Sequence, residues 1–289
     1  MTATFEEKTY ENYFNIELAS RSKVVYPIGQ AQEGFLGFDS SAFSRHSALW
    51  HFFKHPLWPI RPLRGVELRT IARDMEDYLS VVIDNIPVNL KVNLLFQYKR
   101  PEIITRSSGK EWRHWRRNYF RYEVYQRQQE LLENIDSQVG SKVLTLYACP
   151  AFHDHNDLVS AHISRSIINN SNFTRASDLA GHHYNTFTDP GTISMAFSEP
   201  EPIKSVDIVE TINSFSDSQQ RNSEENNRNF IINFSKQIES VTLQGSSYSD
   251  AFRQLRDAVD NITNYQLFYS FITMYNFRQV TGLQWLITY

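Results

Sequence analysis

The run NLLFQYKRPE, residues 93–102, limits what this chain can fold into more than any other stretch. Its apolar character predicts a buried strand over residues 88–98. Gln97 and Lys99 stand two apart and so share one face of that strand, while Phe96 and Tyr98 take the other. An amide and an ammonium on a buried face cost stability unless they have partners or a task. A second apolar run, KVLTLYACPAF over 142–152, follows a helix-forming stretch, KEWRHWRRNYFRYEVYQRQQELLENI over 110–135. Strand, helix and strand in that order make a βαβ unit, which predicts a mixed or parallel sheet with helices on its faces.

The flanking segments extend this pattern. Residues 5–20 read as a helix with Tyr10, Tyr13, Phe14 and Leu18 on one side. VVYPIG and GFLGFD read as short strands punctuated by Gly29, Gly34 and Gly37, and a helical segment spans 66–83. Residues 153–204 are polar and loop-like. Helical periodicity returns over 205–240, and Ser249 or Asp250 can cap a final helix through Phe252, Leu255 and Val259. The expected division is a core over 1–152 and a mainly helical accessory region over 153–289, within one domain or as two.

Net charge is −3 overall but unevenly spread. Residues 91–127 hold 10 Lys/Arg against 3 Asp/Glu, net +7, directly beside the Gln-x-Lys strand. Such a patch suits a polyanion, or the acidic second half of the chain itself. Trp112, Trp115, Tyr119 and Tyr122 are read as a core stripe, leaving Lys110, Arg113, Arg116, Arg117 and Arg121, with Arg100 nearby, on a solvated face open to phosphates. The single cysteine, Cys149, excludes an internal disulfide and fits a reducing cytoplasm. The N-terminus lacks the plan of a signal peptide, and no window reaches roughly 18 uninterrupted apolar residues.

Phosphodiester cleavage needs a divalent cation, a deprotonated water and a positive charge near the pentavalent phosphorus. Asp39, isolated in the apolar run GFLGFDSS, together with a nearby glutamate and the Tyr98 carbonyl, can hold Mg²⁺. Lys99 can hold or deprotonate the attacking water, its pKa lowered by burial and raised again by carboxylates and substrate. Asp39 can equally cap a turn with Ser40 and Ser41. His153-Asp154-His155 has metal-like spacing, but without paired cysteines or HExxH it is read as contacting phosphate or stabilising loops. Glycine-rich phosphate loops and serine-hydrolase elbows are missing from the sequence.

In these residues the chain resembles the PD-(D/E)xK nuclease superfamily over roughly 5–152, in the Gln-x-Lys variant. The resemblance implies a restriction-endonuclease-like mixed sheet flanked by helices, here with a helical C-terminal layer. It implies Glu17 as the carboxylate of the first helix, with Glu11 and Glu33 as rivals, and Asp39, Gln97 and Lys99 as the catalytic set. Asp39, Glu17 and the Tyr98 carbonyl would bind Mg²⁺ or Mn²⁺. The implied activity is a Mg²⁺-dependent endonuclease acting on DNA, with RNA open, in restriction or antiviral defence. Gln97 in place of an acid leaves a second reading: an inactive nucleic-acid-binding or assembly subunit of a larger defence complex. The aromatic C-terminus, Tyr265 to Tyr289, must bury its apolar surface in the chain's own core or against another subunit, and because duplex cleavage favours two sites related by a two-fold axis, a homo-oligomer is expected.

Overall fold

The computed structural model describes residues 1–25, 68–190, 193–218 and 226–289. It is mixed α/β, with two five-stranded sheets and helices packed on them. Helix α1 (Glu7–Arg21) leads to the two-residue edge strand β1 (Val24–Val25), and α2 spans Leu68–Asp84. Strand β2 (Val92–Tyr98) is the expected buried run, and all seven of its residues are buried. Strand β3 (Glu102–Ile104), a one-turn helix α3 (Trp112–Trp115) and β4 (Tyr119–Glu123) then precede α4 (Gln126–Val139) and β5 (Val143–Pro150).

The single helix expected over 110–135 is therefore three elements. Arg116 adopts the left-handed conformation and closes α3 after one turn. Tyr119–Glu123 then pairs with β3, Glu102 opposite Arg121 and Ile104 opposite Tyr119. The aromatic-rich YFRYE suits a strand as well as a helix, and it is the three-four-three spacing of Trp112, Trp115, Tyr119 and Tyr122 that mimics a helix.

A second difference lies in 153–204, which is not loop. It contains α5 (His155–Ile163) and four strands: β6 (Ser171–Arg175), β7 (Tyr184–Phe187), β8 (Ile193–Phe197) and β9 (Glu201–Lys204). Their buried positions mix polar residues with Phe173, Phe187, Ala196 and Ile203, which blurs the apolar alternation. Asn172, Thr174, Asn185, Thr186 and Ser194 are all buried. Asn185 Nδ2 donates to the Tyr122 hydroxyl at 2.9 Å and to Thr174 Oγ1 at 3.2 Å, so side-chain hydrogen bonds replace apolar contact there.

Helices α6 (Ile208–Ser218), α7 (Asn227–Leu243), α8 (Ser249–Asp257) and α9 (Gln266–Thr281) make up the expected helical C-terminal part. The chain then returns to the sheet as β10 (Gln284–Thr288). The first sheet has the order β1-β10-β2-β5-β6, and the second β3-β4-β7-β8-β9. Strand β10 runs antiparallel to β2 with Leu286 opposite Leu94, while β5 runs parallel to β2 with Leu94 opposite Leu144. The last strand is thus inserted between β1 and the central β2, and residues on both sides of position 152 share this sheet.

The two faces of β2 carry two cores. Leu94, Phe96 and Tyr98 pack against Tyr10, Phe14 and Leu18 of α1. The Phe14 ring meets Phe96 and Tyr98 edge-on at 5.4 and 5.6 Å. Each such buried side chain contributes about 1.5–3 kcal/mol of burial free energy. On the opposite face, Leu95 and Trp285 join α2, α4, α7 and α9. The C-terminal aromatics are consumed here. Phe271, Phe277, Leu283, Trp285 and Leu286 are all buried within the chain, which removes the exposed surface that motivated a homo-oligomer. Among the described residues no helix is long and apolar enough to cross a membrane.

Candidate functional site

Past the end of β2 the backbone stays in register with β5 for one more bond, Lys99 N–H donating to Ala148 O at 2.9 Å. This directs Gln97 and Lys99 toward the start of α4, as their two-residue spacing requires. Both are only 5% exposed. Lys99 Nζ donates to Gln128 Oε1 at 3.2 Å and lies 4.4 Å from the centre of the Tyr125 ring and 5.4 Å from that of Tyr147. Lys has no acceptor to offer, so the Gln128 amide must turn its oxygen to Lys99 and its nitrogen away. That nitrogen donates to Gln97 Oε1 and, at 2.8 Å, to Thr281 O at the end of α9. Gln97 Nε2 in turn donates to Tyr98 O at 2.7 Å. One amide chain therefore ties the central strand, α4 and the C-terminal helix together around a buried ammonium.

The turn from α9 into β10 closes on the same place. Gly282 takes φ +75°, its N–H bonds Arg278 O at 2.8 Å, and a Cβ there would stand 4.0 Å from Gln97 Oε1. A glycine suits this backbone conformation; a Cβ would make only ordinary contact with the amide network, so the positive φ rather than space favours glycine here.

Charge at the site comes from the start of α1. The N-terminal segment lies along the carboxyl end of β2, with Ala3 N–H bonding Pro101 O at 3.0 Å, and this brings Glu7 in the first turn near enough for its charge to act on Lys99 without pairing with it. Burial pushes Glu7 up to about 7, against the Lys99 charge, with Glu11 pushing the same way as burial. Burial likewise lowers Lys99 to about 8, with Glu7 the main opposing influence and Glu123 a further one. An acid raised and a base lowered, each acting on the other's charge, is the environment in which proton-handling groups are found. One turn further along α1, Glu11 accepts from Lys8 at 3.0 Å and pairs with the largely buried Arg278 of α9. Tyr125 is 57% exposed and forms the outer wall beside Lys99.

The residues expected from the sequence divide accordingly. Gln97 and Lys99 are brought together, and Tyr98 lies between them. The Tyr98 carbonyl already accepts from Gln97, while its hydroxyl donates to Asn15 Oδ1 at 2.6 Å in the other core. Glu17 is not part of the cluster. Its carboxylate accepts from Ile167 N–H at 2.7 Å and Ile168 N–H at 3.4 Å and pairs with Arg21 at 2.8 Å, so it anchors the turn that leads into β6. Ten residues separate it from Glu7, about 15 Å along a helix. Asp39 and Glu33 lie outside the described residues.

The basic residues divide too. Arg100 holds Ala3 O at 2.6 Å and pairs with Glu6, Arg121 pairs with Glu102 at 2.8 Å and faces Glu111 at 3.6 Å, and Arg117 pairs with Asp189. Lys110, Arg113 and Arg116 are exposed on α3 and its flanks. Around His153-Asp154-His155 the contacts are structural. Asp154 caps α5 by accepting from Asn156 N–H at 2.7 Å, and the His155 N–H donates to Thr4 Oγ1 at 2.9 Å.

Sequence reasoning missed Glu7, Gln128 and Tyr125. Glu7 carried no signal that sets it apart from Glu11 or Glu17 on the same helix. Gln128 carried none, since an amide on a helix is ordinary until its neighbours are known.

Among the described residues no group of three or more His, Cys, Asp or Glu side chains could hold a metal ion. Glu7 is the one carboxylate beside Lys99 on α1, and the oxygens of Gln97 and Tyr98 already accept hydrogen bonds. These residues do not by themselves fit Mg²⁺, which takes one or two carboxylates with waters and substrate oxygens in strict octahedral geometry. Comparison with known protein families, with curated proteins and with solved structures finds no match.

Proposed function

We propose that this chain is a phosphodiester hydrolase acting on nucleic acid, DNA in the first instance, on a restriction-endonuclease-like core. The observation that carries the reading is the buried Lys99 ammonium at the carboxyl end of the central strand, bonded to Gln128 and lowered by burial to about 8 against the charge of Glu7. A protonated Lys99 stabilises charge that develops on a phosphate, and one poised near 8 gives up its proton readily at neutral pH. Glu7 is the group positioned to receive or return a proton there. The order of elements supports the reading as well: a first helix with a carboxylate, the Gln-x-Lys strand, a helix, and a parallel strand beside the first. Exposed Lys110, Arg113 and Arg116 supply sequence-independent phosphate contacts. A role in restriction or antiviral defence, in the cytoplasm, and a homo-oligomeric or partner-bound state belong to the same proposal.

Mg²⁺ dependence is the part that the described residues do not carry, and it rests on Asp39. Calorimetry settles it: Asp39→Asn should abolish Mg²⁺ and Mn²⁺ binding, and unchanged affinity would reassign Asp39 to turn capping. The engagement of Gln97 by Gln128 favours a second reading, a nucleic-acid-binding subunit without catalysis. Plasmid and single-stranded substrates incubated with and without Mg²⁺ or Mn²⁺ separate the two. The enzyme reading expects cleavage that falls ~10²-fold or more in a folded Lys99→Ala variant. Binding without cleavage under any of these conditions would establish the second reading.

A further inference from the structure

The second sheet turns one face, with Tyr122, Asn185, Phe187 and Ala196, into the core. Alternation sends Arg121, Tyr184, Met195 and Phe197 to the other face, where all four are half-buried. The Arg121 guanidinium lies 4.9 Å from the centre of the Tyr184 ring, and Glu102 and Glu111 hold it there. The short helix α3 folds back over the same face. Trp115 Nε1–H donates to Thr186 Oγ1 at 3.0 Å, and the His114 ring meets Phe197 edge-on at 5.4 Å. This brings the exposed Lys110, Arg113 and Arg116 to the margin of the aromatic face. Strand β4 runs from that margin toward Lys99. Glu123 at its end is near enough to act on the Lys99 charge, and Tyr125, two residues on and 57% exposed, stands over the ammonium.

Rings on an open sheet face with cations along its margin suit a polyanion that also carries flat groups. In a duplex the bases stack on one another and offer no free face, whereas an unpaired strand can lay its bases on aromatic rings and guanidinium planes. We propose that this face binds single-stranded nucleic acid and leads it to Lys99. Lys110, Arg113 and Arg116 take phosphates, and Phe197, the Arg121–Tyr184 pair and Tyr125 take bases. From Tyr119 to Tyr125 is six residues of extended chain, roughly 20 Å, so the track is long enough for several contacts in succession. Arg117 and Arg121 are balanced by Asp189, Glu102 and Glu111, and they serve position and stacking rather than net charge. The inference rests on the nucleic-acid reading above and narrows its substrate to an unpaired strand.

The test is fluorescence anisotropy of the whole chain with a labelled oligothymidylate of about a dozen nucleotides and with its duplex, in EDTA so that binding is read without cleavage. The single strand should bind roughly tenfold or more tightly than the duplex, and an oligouridylate of the same length reads whether the sugar matters. Tyr125→Ala, Tyr184→Leu and Phe197→Leu should each weaken single-strand binding roughly tenfold, the loss of one stacked base, and leave the salt slope unchanged. Circular dichroism verifies the fold, and Tyr125 is exposed enough that its variant keeps the test open if the sheet variants unfold. Ile163→Ala, exposed on α5, should bind like the parent. Equal affinity for duplex and single strand, or aromatic variants that bind like the parent, would overturn the proposal, and plasmid cleavage in the parent would show that the nuclease reading survives it. Single-strand binding without any cleavage would keep this face and remove the enzyme. Binding of neither form would overturn both.

Discussion

Replacing Glu7 with glutamine removes a charge while nearly preserving volume, so its consequences isolate electrostatics. Burial holds Lys99 near 8, and the Glu7 carboxylate is the strongest of the influences that keep it from falling further. An opposite charge in this position shifts a pKa by roughly one to three units. Glu7 itself titrates near 7 and is only partly ionised at neutral pH, so the lower end applies. Lys99 in the Glu7→Gln variant should therefore titrate about one unit lower, equivalent to about 1.4 kcal/mol. Two measurements read this: the NMR titration of the Lys99 side chain, and the pH dependence of single-turnover cleavage, whose alkaline limb should move by the same amount. Stability adds a sign. A carboxyl raised from 4.5 to about 7 contributes stability that is full below pH 4.5 and lost as pH rises through 7. Glu7→Gln should then match the parent near pH 4 and exceed it in thermal midpoint at pH 8. Glu17→Gln is the contrasting variant. It weakens a carboxylate bonded to two backbone amides and Arg21, costing about 1–3 kcal/mol, and leaves both titrations where they were. A Lys99 titration unmoved by Glu7→Gln, or one moved by Glu17→Gln instead, would refute the site as drawn.

Lys99→Met should stabilise the fold by roughly 1–2 kcal/mol at pH 7, since it removes a cation whose burial opposes its charge. Lys99 is lowered from 10.5 to about 8, so that penalty is carried below pH 8 and relieved as pH rises toward 10.5; denaturant melts at pH 7 and pH 10 should show the advantage shrinking. Joint replacement of Lys110, Arg113 and Arg116 by Ala should flatten the salt dependence of DNA affinity by about one unit of slope per lost contact. Arg121→Ala should lower the melting temperature instead, because Arg121 is held by Glu102 and Glu111; equal salt slopes in parent and triple variant would move the phosphate surface elsewhere. Truncation after Thr281 deletes β10 from between β1 and β2 and should abolish cooperative unfolding at every protein concentration, whereas a folded monomer after truncation would contradict the strand order.

The sequence by itself determined what periodicity and alternation encode. The helices over 5–20 and 66–83 and the strands over 88–98 and 142–152 recur within a few residues as α1, α2, β2 and β5, because one apolar face at a regular period admits one element. Gln97 and Lys99 were legible as a site for the same reason: a two-residue spacing on a strand puts two polar heads on one buried face whatever surrounds them. Their neighbours were not legible, because proximity between distant residues is decided by topology. Only the end-to-end alignment of α1 with β2 chooses Glu7 over Glu17, two carboxylates on one helix that look alike in sequence. Only the return of the chain as β10 turns the aromatic C-terminus from an exposed surface into core and brings Thr281 to Gln128. The strands between 171 and 204 were less legible because Asn, Thr and Ser share their buried faces with Phe173, Phe187, Ala196 and Ile203, and the hydrogen bonds that join such polar groups exist only once the fold has brought their partners within reach.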